Sequence, residues 1–396
     1  MITLDDYREL APPGALDLIA RLAGLVRGRR VLHLTGGRLG RGPAEALRAA
    51  VPLLGELGLD ASWEITGGDA AYHATAGALR AALAGSERLV TDEALEHYLA
   101  MNRVNATKLR LDADVVVLHD VQPLSLVTGR ASGRWVWHCH LDCAAPQQRA
   151  WSFVRPLASR CDAAVFSLPS FVNRVGVPAF VIAPSLDPLS EKHRAMPPHE
   201  IAAVLETLGV GQDKPFLLSS GAFTGDQDPL GAVNAYRLVK KHHDVRLVLA
   251  GAAADEEGAA SLLADLREAA RADPDIVVLE VPDDAYRQIN ALQRGSTLVL
   301  HKPLREAFGL APAEAMWKGK PVVGSATGGL AQQIIDGATG YVVRSVEGAA
   351  FRIRHLLSNR ELIPRMGAAA REHARRTFLI TREVTESLAL VARVTR

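Results

Sequence analysis

Two carboxylates frame the chemistry open to this chain. Glu306 and Glu314 stand eight residues apart in Arg305-Glu306-Ala307-Phe308-Gly309-Leu310-Ala311-Pro312-Ala313-Glu314-Ala315-Met316-Trp317. The first falls in a turn with one glycine, Gly309, and the second on the helix that follows. Residues 297–300 precede the turn as an apolar run that reads as a buried parallel strand. Lys318-Gly319-Lys320-Pro321-Val322-Val323-Gly324 reads as the helix end and the next strand. A strand, a glycine-containing turn and a helix start expose several backbone N–H groups at the carboxyl edge of a sheet, which suits an anionic or polyhydroxylated ligand. Glu306 would accept hydrogen bonds from sugar hydroxyls, and Glu314 would hold a ribose diol. Lys302 and Arg305 place two cations just before Glu306.

Two other clusters carry chemistry. Gly36, Gly37, Gly40 and Gly42 lie between a strand and a helix that opens at Pro43. Without side chains the backbone can approach a diphosphate, and the helix N-terminus favours its charge. Arg38 and Arg41 within that loop would add charge or face solvent. His138-Cys139-His140-Leu141-Asp142-Cys143 holds zinc-type ligands. Adjacent residues at a strand end point to opposite faces, so the side chains of 138 and 140 can converge while Cys139 points away. The expectation is that no metal is bound there.

The elements that must position these residues alternate. Strands are expected at 30–35, 61–65, 115–119, 134–138, 163–167 and 179–182, and again at 215–220, 245–250, 276–279, 297–300 and 321–323. Helical stretches separate most of them, such as 229–242 and 259–272, which argues for parallel sheets covered on both faces. The seam is expected near 187–211, where Pro188, Pro197 and Pro198 interrupt a polar stretch. The expected organisation is a first Rossmann-like domain over 1–190, a second over 212–378, and a C-terminal helix over 379–396.

Composition narrows the function. The 396 residues suffice for two full cores. With 45 Lys+Arg against 44 Asp+Glu the formal charge is +1, which disfavours a nucleic-acid binder. No apolar run reaches the roughly 18–20 residues that span a bilayer. The N-terminal residues lack the basic and apolar regions of a signal peptide. Three cysteines make no disulfide framework and fit a reducing cytoplasm. Oligomeric state is open, a homodimer included.

Around the two glutamates, Glu306 to Gly324 resembles the E-x7-E region of retaining GT-B glycosyltransferases that use nucleotide sugars, and more narrowly the trehalose synthase branch. The likeness continues through Ala44-Glu45-Ala46-Leu47, His119-Asp120-Val121-Gln122-Pro123, Cys139-His140-Leu141-Asp142, residues 162–167, residues 184–190 and residues 228–237. It implies an α/β GT-B fold, two Rossmann-like domains facing an interdomain cleft, and the first domain on the acceptor side. It implies sugar transfer from a nucleotide diphosphate sugar to a small-molecule acceptor, with trehalose made on glucose as the closest-family product. His140 and Asp142 would orient the reacting face, with Glu306 as the third catalytic group. Gly36, Gly37, Lys302, Arg305, Ala307, Phe308, Gly309, Leu310 and Glu314 would bind the donor. Neither metal nor cofactor is implied. The chain departs from the pattern at Ala222 and Gln227, where relatives carry an Arg and a Lys that grip the donor diphosphate, and at Ala307, where they carry glycine. A specialised-metabolite transferase acting on a small thiol, as in antibiotic assembly, and a catalytically silent sugar-nucleotide binder are therefore the alternatives.

Overall fold

Val115–His119 is five buried residues in a row, three of them β-branched valine, and forms a strand covered on both faces. In the computed structural model, which describes residues 2–37, 43–87, 89–253 and 258–396, it is one of twelve parallel strands among those residues. The residues 38–42 of the glycine loop lie outside that description.

By its contacts the chain divides into two compact units, Met1–Ser185 with Ile380–Arg396, and Leu186–Leu379. The first unit is built on β1 (Arg30–Thr35), β2 (Asp60–Ile65), β3 (Val115–His119), β4 (Arg134–Cys139), β5 (Ala163–Phe166) and β6 (Ala179–Val181), in the order β2-β1-β3-β4-β5-β6. The terminal helix Ile380–Val394 packs on the helix Ala15–Val26 of this unit. The second unit is built on β7 (Phe216–Ser220), β8 (Arg246–Gly251), β9 (Ile276–Glu280), β10 (Leu298–His301), β11 (Val322–Ser325) and β12 (Gly340–Val343), in the order β12-β11-β10-β7-β8-β9. Its core joins Leu217, Leu247, Leu249, Leu298, Leu300 and Val323 of the sheet to Tyr236, Ile353 and Leu356 of the covering helices. Each such side chain contributes about 1.5–3 kcal/mol by leaving water.

In each sheet the chain starts at a central strand, moves outward, then returns to the other side of its starting point. The reversal falls between β1 and β3 in the first sheet and between β7 and β10 in the second. At such a switch point the two connections leave in opposite directions and open a crevice at the carboxyl ends of the strands. Gly36 and Asp120 follow one pair of strands; Gly221 and Lys302 follow the other.

Register also gathers histidines. His119 pairs directly with His138, and His33 pairs with Val117, two residues before His119. Side chains two apart share a face. His33, His119, His138 and His140 therefore emerge on one side of the sheet near its carboxyl edge.

The strand expected nowhere is β12. It is four residues long and starts at Gly340, where a Cβ would collide with the backbone of Val322. A glycine at a strand start reads as a loop, yet only glycine lets this edge strand pair with β11. Among the described residues no helix is long and apolar enough to cross a membrane.

Candidate active site

The loops leaving β7 and β10 are stitched together by the backbone N–H groups of Leu304 and Arg305, which donate to the carbonyl of Asp226 at 2.7 and 3.3 Å. That seam brings Gln227 to Glu306. Gln227 Nε2 donates to Glu306 Oε2 at 3.1 Å, and His301 Nε2 lies 3.2 Å from the same oxygen. The Glu306 side chain is only 17% exposed. Burial alone would raise its pKa, but hydrogen bonds from His301, Gln227 and the backbone of Ala307, with the charge of His301, hold it below the usual carboxylate range. Glu306 is thus an ionised carboxylate fixed at the switch point.

Glycine geometry seats the turn. Gly309 has φ +71°, and a Cβ there would fall 2.8 Å from Glu306 Cγ. Gly328 has φ +51°, and a Cβ there would collide with the Glu306 carbonyl oxygen, while the Gly329 N–H donates to the Ala307 carbonyl at 2.7 Å. Ala307 itself has no positive φ, so alanine in place of glycine carries no backbone strain there. The Phe308 side chain is buried edge-on against Phe378, 6.0 Å between ring centres, so Phe308 can offer a ligand only its backbone. Leu310 opens the helix Leu310–Trp317, whose N-cap, Gly309, has no side chain to cap the first turn.

The two expected cations differ. Lys302 is ion-paired with Asp228, a residue with φ +48° whose side chain also caps the helix Pro229–Lys240 through the Gly231 N–H. Its charge reaches a phosphate only by leaving Asp228. Arg305 is exposed, and its side chain has no ion pair or hydrogen bond among the described residues.

Glu314 is buried in a polar network of its own. Lys192 Nζ lies 2.6 Å from Glu314 Oε1, Gln293 Nε2 donates to Oε2 at 3.1 Å, and Lys318 donates to Gln293 Oε1. Burial opposes its charge, but Lys192, His193 and Lys318 together hold its pKa well below the ordinary value. A ribose diol would have to share Glu314 with Lys192.

In the first unit, Gln122 Nε2 donates to the Gly36 carbonyl at 3.3 Å, and Thr35 Oγ1 donates to the Gly37 carbonyl at 2.9 Å. The backbone N–H of His140 donates to Asp120 Oδ1 at 2.9 Å, and Arg80 pairs with Asp120 Oδ2. Asp120 holds φ +61°, a conformation that a non-glycine residue keeps only where its surroundings enforce it. His140 is partly exposed; burial and then Arg80 push its pKa down to about 3, so its ring is neutral at physiological pH. Asp142 accepts from the Ala144 N–H at 2.9 Å. Cys139 Sγ sits 3.4 Å from Cys143 Sγ.

Residues 33–173 match the family model described as "Trehalose synthase, N-terminal domain", and residues 203–373 match "Glycosyl transferases group 1". The chain is 35% identical over 398 residues to a trehalose synthase of Pyrococcus horikoshii, covering 97% of this chain and 95% of that one. The chain belongs to the trehalose synthase family of glycosyltransferases. A trehalose synthase of Rubrobacter xylanophilus is 34% identical, with 99% and 97% covered. The fold matches the UDP-forming α,α-trehalose-phosphate synthase of Burkholderia xenovorans with a TM-score of 0.72 at 15% identity, covering 93% and 100% of the two chains. It matches a sucrose-phosphate synthase of Thermosynechococcus elongatus with a TM-score of 0.71 at 14% identity, covering 92% and 98%. The fold is GT-B.

Within this family frame, sequence reading left several partners without a role. Gln227 stood out only as a missing cation, yet it holds Glu306. His119 and Asp120 lie in the 119–123 motif and Lys192 in the polar seam, but their partners come from other strands and helices.

Two outcomes test this electrostatic picture. Removing one member of a buried ion pair typically costs about 3–5 kcal/mol. Glu314→Gln should therefore lower the unfolding free energy by about 3 kcal/mol, and adding Lys192→Met should restore most of it. Equal urea midpoints for the wild type and the single variant would remove the pair from the stability account.

The second outcome concerns acid. Burial keeps His33, His119 and His138 neutral, with His33 pushed down to about 4 and the other two well below the ordinary value of 6.5. Below pH 6.5 the unfolded chain takes up protons that the folded chain refuses. Stability is then lost as pH falls from 6.5 towards 4, by about 1.4 kcal/mol per pH unit for each histidine. Carboxylates begin to contribute below about pH 5, so urea midpoints at pH 7.5, 6.5 and 5.5 report chiefly on the buried histidines. A flat series would contradict their neutrality.

Proposed function

We propose that this protein transfers a glucosyl or similar hexosyl group from a nucleotide diphosphate sugar to a small sugar acceptor, with retention at the anomeric carbon. Glucose as acceptor would give trehalose. The observation that carries the reading is the ionised Glu306, fixed by Gln227 and His301 at the switch point of a sheet in a trehalose synthase family chain. An immobile carboxylate can accept hydrogen bonds from two hydroxyls of a hexose and set the sugar's orientation before the bond to phosphate breaks. The backbone N–H groups of Phe308–Leu310, at a helix start whose N-cap glycine brings no capping side chain, suit the negative charge that grows on the departing diphosphate. Glu314 takes the ribose, and His140 and Asp142 take hydroxyls on the reacting face. Gly36 and Gly37 approach the donor through backbone.

Ala222 and Gln227 leave the diphosphate without its usual pair of cations. Arg305, exposed and without a side-chain partner among the described residues, is free to replace them, and Lys302 is a second if it exchanges Asp228 for phosphate. The transfer is proposed to need no metal and no organic cofactor. The near-neutral chain and its few cysteines support small molecules rather than nucleic acid as partners, and the cytoplasm as its place. The family relationship favours this reading over thiol glycosylation and over silent binding.

The test is release of nucleotide from UDP-, ADP- and GDP-glucose with glucose or a small thiol as acceptor. Glucose-dependent release from at least one donor is expected. Gln227→Ala should lower kcat about tenfold, the effect of losing one positioning hydrogen bond. Tight nucleotide binding with no transfer to either acceptor would overturn the enzymatic reading, and transfer to the thiol alone would replace the acceptor.

A further inference from the structure

Three imidazoles of the first unit bring ring nitrogens close together. One ring nitrogen from each of His119, His138 and His140 lies within 4.8 Å of the other two. His119 Nδ1 and His140 Nε2 are 2.9 Å apart, and the rings of His138 and His140 stack with centres 4.0 Å apart. Three nitrogens bound at about 2.1 Å to a tetrahedral cation stand roughly 3.4 Å from each other. The rings now stack, so they must turn about their Cβ–Cγ bonds until their planes meet at the cation at that spacing. His119 and His138 are buried and His140 is partly exposed, so the group is anchored on the sheet and reached from the His140 side.

We infer that His119, His138 and His140 form a binding site for a divalent transition-metal cation of the zinc, cobalt or nickel type. Three neutral imidazoles without thiolate select such borderline cations over magnesium or calcium, which prefer oxygen. The nearby sulfurs do not join it: Cys139 Sγ is turned to Cys143.

A fourth histidine supports the ligand set. His119 Nε2 lies 3.0 Å from His33 Nδ1. For His119 to ligate through Nδ1, its proton must sit on Nε2, and His33 Nδ1 is placed to accept it. The proton of His33 then occupies its own Nε2, a buried atom without a hydrogen-bond partner among the described residues. This is the arrangement by which a metal-binding imidazole is fixed in tautomer and orientation. Below it, the His140 N–H bond to Asp120 and the Arg80–Asp120 pair lock the backbone that carries the third ligand.

The site is separate from the chemistry proposed for the diphosphate. It touches transfer at His140 alone: a captured cation ties up that ring, so metal should act as an inhibitor.

The test uses the full chain freed of metal by a chelator, titrated with Co²⁺ and Zn²⁺ by calorimetry and by the visible absorption of Co²⁺. One equivalent should bind with a tetrahedral-type Co²⁺ spectrum, and Zn²⁺ should raise Tm. His138→Asn should weaken binding at least about tenfold and abolish the Zn²⁺-dependent rise in Tm, and His33→Phe should weaken binding about tenfold through tautomer control. His97→Asn, which removes an exposed His97–Asp69 pair, should change nothing. Absence of saturable binding, or binding that survives His138→Asn in a chain that still unfolds cooperatively, would overturn the site whatever the fate of the proposed transfer reaction.

Discussion

A carboxylate taken from water into a sheet's carboxyl edge keeps its charge only if protein donors replace the lost hydration. Glu306 meets that constraint through Gln227, His301 and the Ala307 backbone, and the second unit is arranged so that it can. Gln227 arrives from the loop after β7, and His301 ends β10. These strands are neighbours because the sheet order reverses between them. Gly309 and Gly328 then let the backbone press against Glu306 from both sides, which any Cβ would prevent. Topology, glycine placement and hydrogen bonding thus serve one fixed charge.

The first unit solves a different problem at its own switch point. There the gathered groups are imidazoles, held neutral by burial rather than charged by partners. The ionic contribution comes from Asp120, strained to φ +61° and tied to Arg80, which carries the backbone of His140. One unit therefore presents an immobilised negative charge and the other a set of neutral ring nitrogens. A sugar's hydroxyls, which both donate and accept hydrogen bonds, can be read by either.

Much of this was legible in the chain. The alternation of apolar runs and helical stretches gave eleven of the twelve strands, and the spacing of Glu306, Gly309 and Glu314 placed a turn and a helix where both occur. What escaped was whatever depends on register or on distant partners. That His119 lies beside His138 follows only once β3 is paired with β4. Lys192 reaches Glu314 from a segment of coil with no periodicity to mark it. Gln227 looked like the loss of a phosphate-binding cation, because residue type shows what is missing and not what the replacement touches. Lys302 was expected to face a phosphate, and its pairing with Asp228 shows how a nearby carboxylate can claim a cation first.

The proposed role of Glu306 as the fixed acceptor for the donor sugar is tested most directly by ¹H NMR of the product formed from an α-linked nucleotide glucose and glucose, followed in time for the wild type and Glu306→Gln. The proposed reaction predicts an α,α-linked disaccharide from the wild type and a rate at least about 100-fold lower from the variant, the scale of losing a preorganised electrostatic contact in the transition state. An inverted anomer, or equal rates from the two proteins, would contradict it.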